Sequence, residues 1–508
     1  MGEEARRATL VAMTESPGGN ESGKLSPLAA PAGAEGDKNA PLGDDDMKPP
    51  AGESKETVEI RNRHKRKRLL LLHHADTCPQ EEGRCTVNKH CREMKILWKH
   101  VTHCKEENNC EVPHCTSSRY ILHHYRKCKD KSCPVCIPVK DEILRKRAIK
   151  ELEEFCGSSE LSLDCLRERI KAFDPPLGCP NILRKVFFNK NVSLEIVQYL
   201  LESFPMMAGA GTNGVTPLHV ILANSSTDGL YDIVQHLIGL NPSHARSSIA
   251  LGMVPLHVAC TNKNIDSSVV RLLVNAWPEA TNQRNNNGML PIHFLCSRKE
   301  VANASACEVL KVLLDMNPQA VMATDNRDFL PIYYAADNKS PEFCKLLTNS
   351  YPESVRIRGG PDGSLPIHIA CARGRVDVVK CLFELDPESI TVRSNGGLLP
   401  IHKAAVSVGK EGVETIRFLL SKDPDLARKP ATAKLLLPLH LACTGHLLDR
   451  VQLLFDAHPE AIDTTDATEK FPYDYARSRP VHRPEHIIAR GGDCVIFGSP
   501  TCLCPQSE

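Results

Sequence analysis

A proline–histidine motif that recurs through the second half of the chain constrains the fold more than any other feature of the sequence. Each copy places a proline among apolar residues, and six of the seven copies carry a histidine two positions later, as in VPLHVACTN and LPIHIACAR. A spacing of 34–40 residues predicts stacked units that each bury one apolar face against the next. The seven prolines are Pro217, Pro255, Pro291, Pro331, Pro366, Pro400 and Pro438.

Each unit continues with a second apolar helix that is followed by a proline, as in VVKCLFELDPES. Turn residues such as NNNG or PDGS then lead to the next unit. Proline suits the first turn of a helix because its missing N–H would have no partner there. This pattern resembles ankyrin repeats over about residues 180–478. Thr216 alone keeps the capping threonine of that family, and apolar residues replace it elsewhere. The replacements are Val254, Leu290, Leu330, Leu365, Leu399 and Leu437.

One histidine per repeat, always at the same phase, predicts a structural role in which the ring bonds backbone between turns. Tyr333 replaces it in the fourth repeat, which a shared catalytic or metal-binding role would not tolerate. A cysteine recurs at a second phase, and we expect it to be buried in place of alanine. The histidines are His219, His257, His293, His368, His402 and His440, and the cysteines are Cys260, Cys296, Cys371 and Cys443.

A different spacing occurs three times between His74 and Cys136. In each set a histidine is followed four residues later by a cysteine, and then by two more cysteines. One imidazole and three thiols complete the tetrahedral shell of a structural Zn²⁺ and leave no position for substrate. The sequence therefore predicts three structural zinc sites. The sets are His74, Cys78, Cys85 and Cys91; His100, Cys104, Cys110 and Cys115; and His124, Cys128, Cys133 and Cys136.

Each histidine–cysteine pair is expected at the end of a helix, because residues four apart share one helix face. The later cysteines are expected in the loop and at the start of the next helix. Few large apolar residues accompany the sets, and a core of this size supplies only roughly 3–5 kcal/mol. A structural zinc contributes on the order of 10–16 kcal/mol, so metal should decide whether this region folds.

The segments LLLLHHADTC, LWKHVTHC, LHHYRKC and CPVC, with CTVNKHC and CEVPHC, resemble a TAZ-type zinc finger over about residues 61–145. That family occurs in large transcriptional coactivator acetyltransferases and in plant BTB-containing scaffold proteins. The resemblance implies a bundle of about four helices with three zinc sites that binds acidic, amphipathic activation segments. Cys85 and Cys91 are separated by five residues where the family has four, which predicts a distorted first site.

The charge of the chain is concentrated in the zinc region. The whole chain carries a net charge of +1, but residues 61–136 contain 17 Lys and Arg against 8 Asp and Glu. Such a basic module suits an acidic peptide or a nucleic acid. No long apolar run indicates a membrane span. The run RNRHKRKR at 61–68 is either a nuclear localisation signal or the solvated first turn of the helix that continues as LLLLHH. Most of the 22 cysteines either have the spacing of zinc ligands or recur at repeat positions expected to be buried. Such cysteines need not form disulfides, so the sequence favours a reducing compartment.

These observations predict an all-α protein, in which a three-zinc, four-helix TAZ-like module precedes an ankyrin-repeat solenoid. We expect disorder at 1–57, the zinc finger at 61–145, a connector helix at 140–160, repeats with degenerate end caps at 161–483, and a disordered tail at 484–508.

The predicted function is a non-enzymatic, zinc-binding interaction scaffold, because no catalytic motif is present. It would act as a nuclear transcription coregulator that can also occur in the cytoplasm. The zinc module would bind acidic activation segments, while the repeat array binds a second protein at Asn262–Lys263, Asn285–Asn287, Arg298–Lys299 and Asp325–Asp328. One alternative is direct nucleic-acid binding by the basic module. The other, an adaptor for histone acetyltransferase activity, has only family context behind it.

Overall fold

Every regular element in the described part of the chain is a helix, as predicted. A computed structural model describes residues 54–477 apart from gaps at 82–83, 86–87, 107–109, 172–179, 206–208, 210–213, 225–228, 265, 300–302, 408, 410, 433 and 446–447. The two segments expected to be disordered lie almost wholly outside the described residues. Two compact units divide between Lys185 and Val186. None of the described helices combines the length and apolar character that crossing a bilayer requires.

The first unit contains four helices in the zinc region, α1 (Lys55–Thr77), α2 (Cys91–His103), α3 (Cys115–Lys127) and α4 (Cys136–Gly157). Helix α1 begins inside the segment expected to be disordered, because the Ser54 side chain accepts the Thr57 N–H and caps its first turn. The helices meet around a small buried core of Leu69, Ile121, Cys133, Val135, Cys136 and Val139. Half of this core consists of, or directly adjoins, the predicted metal ligands.

Helix α4 differs from the predicted separate connector at 140–160. It is one continuous helix that begins at a predicted zinc ligand, Cys136, and ends at Gly157. Its exposed middle carries ion pairs one turn apart, such as Arg147 with Glu151 at 2.9 Å. Helix α5 (Leu163–Lys171) places the Arg169 guanidinium 4.4 Å from the centre of the Phe155 ring. Since α5 belongs to the first unit, the second unit begins later than the predicted residue 161.

The second unit is a stack of helix pairs. The boundary between the units falls inside α6 (Pro180–Phe187), and α7 (Leu194–Ser203) is the first helix wholly within the second unit. Both helices belong to the segment before the first motif proline, which lacks the repeat histidine and was predicted to be a degenerate cap. The inner helices that follow begin at the motif prolines: α8 (Pro217–Ala223), α10 (Pro255–Thr261), α12 (Pro291–Ser297), α14 (Pro331–Asn338), α16 (Pro366–Arg373), α18 (Pro400–Ala405) and α20 (Pro438–Thr444).

The outer helices alternate with the inner ones, and each is followed by a short 3₁₀ turn that begins with proline. They are α9 (Leu230–Leu240), α11 (Ser267–Ala276), α13 (Asn303–Met316), α15 (Pro341–Ser350), α17 (Val376–Leu385), α19 (Gly412–Lys422) and α21 (Leu448–Ala457). A last short helix, α22 (Pro472–Arg477), closes the described part of the stack. The predicted period and element types are thus confirmed.

The repeat histidines tie each inner helix to the following repeat. In each, Nδ1 accepts the backbone N–H of the residue before the motif proline, at 3.1 Å for Leu365 and His368. In five repeats Nε2 also donates to a carbonyl of the next turn, at 3.1 Å for His257 and Met289. The ring therefore gives the N–H of the residue before proline an acceptor, which is one half of a capping box, while the apolar residue at that position offers no side-chain acceptor for the other half. The predicted structural role is confirmed for His257, His293, His368, His402 and His440.

Tyr333 makes the same connection in the fourth repeat. Its hydroxyl donates to the carbonyl of Ser364 at 2.9 Å, and Ser364 occupies the position equivalent to Phe329 in the preceding turn, which bonds to His293. The recurring cysteines are also buried as predicted, and Cys260, Cys296 and Cys371 have no exposed area. The recurring histidine position and the recurring cysteine position of the repeat therefore both have structural roles.

The turns between repeats are bonded to one another as well. The side chain of Asn326 donates to the carbonyl of Asn286 in the preceding turn at 3.1 Å. This close approach requires glycine at position 288, where φ is +73° and a Cβ would come within 2.2 Å of the Asn326 side chain. The stacked turns form a continuous edge along the array.

Four of the residues predicted to contact a partner are instead buried in these turns and helix ends. Asn285 accepts the N–H groups of Asn287 and Met289, and Asp325 accepts the Tyr334 hydroxyl at 2.6 Å. Asn262 bonds carbonyls of the preceding repeat, and Arg298 is 6% exposed. These buried polar side chains therefore contribute to the stacking of the repeats. Their exposed neighbours in the same segments are Lys263, Asn286, Asn287, Lys299, Asn326, Arg327 and Asp328.

Replacing His368 with alanine should lower the free energy of unfolding of the array by about 2–4 kcal/mol, because it strands the Leu365 N–H and the Leu398 carbonyl in the core. Urea denaturation of the wild type and the variant measures this loss. Lys380→Ala, at an exposed position of α17, is the matched control and should change stability little. Equal losses in the two variants would contradict the bridging role.

The same histidines predict that acid destabilises the array. Burial lowers the pKa of His257 and of His402 to about 4, whereas an unfolded histidine titrates near pH 6.5. The unfolded chain therefore binds protons that the folded chain does not, and stability falls as the pH drops through this window. Urea midpoints across the window should show this slope, and His257→Gln should reduce it. His236→Gln, in α9, is the control, and an equal reduction there would refute the assignment.

Candidate metal centres

All four residues of each predicted set come together. In each of the three sets, one histidine nitrogen and three cysteine sulfurs lie within 4.8 Å of one another. The first set is gathered as closely as the others under this limit, despite the extra residue between Cys85 and Cys91. The distortion expected at the first site is not visible in the grouping of its ligand atoms.

The first two members of each set sit at the end of a helix. His74, His100 and His124 lie in the last turns of α1, α2 and α3. The cysteine four residues later is the C-terminal cap, and its backbone N–H donates to the histidine carbonyl at 2.8–2.9 Å. The cap residue is extended, with φ between −65° and −75°. The cap cysteine therefore has the same backbone conformation at all three helix ends, and in each case its sulfur lies close to the imidazole of the histidine four residues earlier.

The last member of each set begins the next helix. Cys91, Cys115 and Cys136 are the first residues of α2, α3 and α4. The remaining sulfurs, from Cys85, Cys110 and Cys133, come from the connecting loops. Each cluster therefore joins the end of one helix to the start of the next, as the sequence predicted.

The spacing of the clustered atoms suits zinc. The histidine Nε2 lies 3.3 Å from the Cys85 sulfur in the first set, 3.1 Å from Cys110 in the second and 3.5 Å from Cys133 in the third. A tetrahedral zinc with usual bond lengths places nitrogen and sulfur about 3.6 Å apart. The three clusters fit three zinc sites.

Burial sets the acidity of the thiols before metal binds. It raises the pKa of Cys91 and of Cys115 to about 11, and hydrogen bonds and charge from neighbouring thiols add to the effect. For Cys133, burial is outweighed by hydrogen bonds from backbone N–H groups and His124, and the pKa falls to about 7. A bound dication stabilises the thiolate form of a buried cysteine and so offsets the cost of burying its charge. Zinc binding should therefore release protons.

A basic side chain lies beside each of the first two clusters. Arg119 donates to the Cys104 sulfur at 3.8 Å, and Lys95 donates to the Cys78 carbonyl at 2.9 Å. A zinc with one imidazole and three thiolates carries a net negative charge, so these cations offset it. Five other histidines neighbour the ligands in sequence but do not belong to a cluster, and all five are exposed: His73, His90, His103, His114 and His123.

The basic run at 61–68 lies within α1 and does not form its first turn. Asn62 is buried, Arg66 pairs with Glu59, and the Arg68 guanidinium donates to the Ser117 hydroxyl at 2.7 Å. Part of this run therefore supports the module, while Arg63, His64 and Lys67 remain exposed.

Comparisons with known proteins agree with this geometry. Residues 65–136 match the family model of the TAZ zinc finger. Residues 256–358, 299–392 and 332–430 match a model of ankyrin repeats.

Similar curated proteins share only parts of this chain. Histone acetyltransferase HAC1 of Arabidopsis thaliana is 40% identical over 80 residues, which are 16% of this chain and 5% of that protein. A probable histone acetyltransferase, HAC-like 1 of Oryza sativa subsp. japonica, is 38% identical over 77 residues, 15% of this chain and 4% of that protein. The similarity to these proteins covers the TAZ region and no catalytic domain.

Other similarities concern the repeats. The probable 26S proteasome regulatory subunit p28 of Saccharomyces cerevisiae is 28% identical over 158 residues, which cover 30% of this chain and 66% of that protein. The crystal structure of the human ASB11 ankyrin repeat domain matches 48% of this chain and 98% of that chain, with 22% identity and a TM-score of 0.39. The two family models identify residues 65–136 as a TAZ zinc finger and residues 256–430 as ankyrin repeats, which together indicate a zinc-binding protein-interaction module.

Proposed function

We propose that this protein is a non-enzymatic scaffold that acts as a transcription coregulator. Its zinc finger would capture an acidic, amphipathic segment while its ankyrin repeats bind a second protein. The observation that carries this proposal is the closure of the metal sites. Each cluster already contains four ligand atoms, so zinc has no position left for substrate and serves to shape the surface around it.

The twelve clustered residues are the proposed zinc ligands. Each set supplies one imidazole and three thiols at distances that suit a tetrahedral shell. Each zinc would clamp two successive helix ends, and the three together would hold α1 to α4 around a core too small to fold by itself.

One face of α1 is suited to an acidic amphipathic partner. Ile60, Arg63, His64 and Lys67 are all exposed, and their spacing of three and four residues places them side by side on the helix. Ile60 is 52% exposed, so the face presents an apolar side chain beside a row of basic ones. An acidic helix with apolar residues complements both features.

A second protein would bind the repeat array at its exposed turn tips. Asn287, Arg327 and Asp328 lie at these tips, while Lys263 and Lys299 follow the ends of inner helices. Because the buried members of the same segments hold the turns rigid, the exposed ones are presented in fixed positions. Such preorganisation lowers the entropy lost on binding.

The proposed role in transcription is supported by similarity to two plant proteins. Their names describe histone acetyltransferases, and their similarity to this chain lies in the TAZ region. A nuclear location and association with acetyltransferase complexes are proposed on that basis alone. The ankyrin and TAZ modules themselves are typically non-catalytic.

A second candidate function is nucleic-acid binding. The same exposed face of α1, with Arg63 and Lys67 one turn apart, could neutralise phosphate groups. Exposed aromatic side chains for base stacking do not accompany it among the described residues of α1. We therefore favour the acidic peptide.

Reversing the charge of this face, by the double substitution Arg63→Glu and Lys67→Glu, should weaken binding of an acidic amphipathic peptide at least tenfold. Each reversed charge turns an attraction into a repulsion at an exposed site. Fluorescence anisotropy with the peptide and with duplex DNA measures both candidate functions. Lys171→Glu, on α5 outside the zinc finger, is the control variant. Tight DNA binding with a steep salt dependence, together with no peptide binding, would refute the scaffold proposal.

Native mass spectrometry should find three zinc ions on the wild-type chain, because three closed clusters are present. Cys136→Ala removes one ligand of the third cluster and should lower the count by one. Cys165→Ser, at an exposed cysteine of α5, should keep all three. One zinc or none on the wild type, or an equal loss in both variants, would contradict the ligand assignment.

A further inference from the structure

The exposed face of α1 carries its charges in a definite order along the helix. Glu56 lies in the first turn, Ile60 follows one turn later, and Arg63 and Lys67 come next. These residues are three or four positions apart, so they lie on one side of the helix, and all four are exposed. From the start of α1 onwards, the face therefore presents an anionic, an apolar and a cationic part.

The cations of this face do not hold the zinc finger together. Arg66 pairs with Glu59 along the helix, and Arg68 donates to a hydroxyl of α3, so these two basic residues support the fold. Arg63 and Lys67, by contrast, have no ion-pair or hydrogen-bond partner among the residues that the structure describes. Their charge is available to another segment or molecule.

The residues just before α1 contain the complementary groups in the matching order. They lie outside the described part of the chain, and their sequence from Leu42 to Lys48 is LGDDDMK. From α1 backwards, this segment presents a cation at Lys48, an apolar side chain at Met47 and three carboxylates at Asp44–Asp46. If the segment runs back along α1, each part of the face therefore meets its complement.

The spacing of the two series of residues also agrees. An extended chain advances about 3.3 Å per residue, so three residues, from Met47 back to Asp44, span about 10 Å. A helix rises about 1.5 Å per residue, so the seven residues from Ile60 to Lys67 also span about 10 Å. The segment and the face therefore stay within side-chain reach of each other along the helix.

The residues between the segment and α1 suit a reversal of chain direction. The sequence PPAGE at 49–53 separates Lys48 from Ser54, whose side chain caps the helix. Proline disfavours continuation of a helix, and glycine accepts the backbone angles that tight turns require. So short a connection also keeps the segment beside the face, at an effective concentration of about a millimolar.

We propose that residues 42–48 dock on the exposed face of α1 and compete there with the acidic partner of the zinc finger. The segment has the acidic and apolar character proposed for that partner, so both fit the same side chains. A partner must then displace the segment, which favours partners that make more apolar contact or carry more charge. The competition rests on the proposed function, whereas the docking of the segment does not.

The attachment of the segment next to its site makes weak contacts sufficient. Exposed ion pairs contribute little individually, so a free peptide of this sequence binds weakly. Within one chain, a dissociation constant equal to the effective concentration already leaves half of the faces occupied. The same weak contacts allow a tighter partner to replace the segment.

Carbodiimide cross-linking of the full-length, zinc-loaded protein tests the docking without any partner. The reagent joins a carboxylate to an amine in contact with it, so Lys67 should become linked to one of Asp44–Asp46, which mass spectrometry identifies. Lys67→Arg keeps the charge but lacks the amine and should lose the link. Lys127, an exposed lysine at the end of α3, is the control and should form no link to these carboxylates. Mixing unlabelled and isotope-labelled chains distinguishes a link within one chain from a link between two copies.

The affinity for an acidic amphipathic peptide measures the competition. A triple variant with Asp44→Asn, Asp45→Asn and Asp46→Asn should bind the peptide about threefold more tightly, because the segment no longer attracts the cations of α1. High salt should reduce this gain, since it screens exposed charges. The matched control removes three carboxylates farther from α1 and should leave the affinity unchanged. Its substitutions are Glu4→Gln, Glu15→Gln and Glu21→Gln.

The two measurements separate the failure of this proposal from the failure of the proposed function. The docking is overturned if the wild type forms no link between Lys67 and Asp44–Asp46, if Lys127 links to them equally, or if the link occurs only between two copies. The competition is overturned if the peptide binds the wild type and the triple variant with equal affinity. A link at Lys67 without peptide binding to any variant supports the docking and refutes the proposed function of this face.

Discussion

Most helices in the described part of this protein are too short to persist alone in water, and the rest of the structure depends on how their ends are tied to neighbours. The inner helices of the repeats have only six to eight residues, whereas isolated helices below about 12–15 residues are marginal. Each unit answers this constraint differently. The array ties helix ends with buried neutral imidazoles, and the zinc finger ties them with clustered sulfurs and imidazoles.

These two solutions place opposite demands on charge. Burial disfavours every charged form, so it lowers the pKa of a histidine such as His368 and raises that of a thiol such as Cys115. The repeat histidines work in their neutral form, because one ring nitrogen accepts an N–H and the other donates to a carbonyl. The clustered thiols must ionise to bind metal, which only a dication makes favourable. The array is thus sensitive to protons, and the zinc finger is sensitive to zinc.

In both units the residues that hold the fold are separate from the surfaces proposed to bind partners. The ligand atoms face one another inside the zinc finger, while Ile60, Arg63 and Lys67 face outward on α1. In the array, Asn285 and Asp325 bond the turns internally, while Asn287 and Arg327 are exposed beside them. The bonded interior thus presents exposed side chains in fixed positions, which lowers the entropy lost when a partner binds.

The sequence by itself determined the all-helical class, the repeat period and the three sets from His74 to Cys136. These features follow from local geometry, since positions four apart share a helix face and proline marks a helix start. Only the tertiary structure decided that Asn285 and Asp325 are internal, that α4 continues through the predicted connector, and that the second unit begins at Val186. It also left the buried Lys339 amine without a hydrogen-bond partner among the described residues. Whether a polar side chain is buried or bonded depends on neighbours about one repeat away, and local periodicity does not specify those contacts.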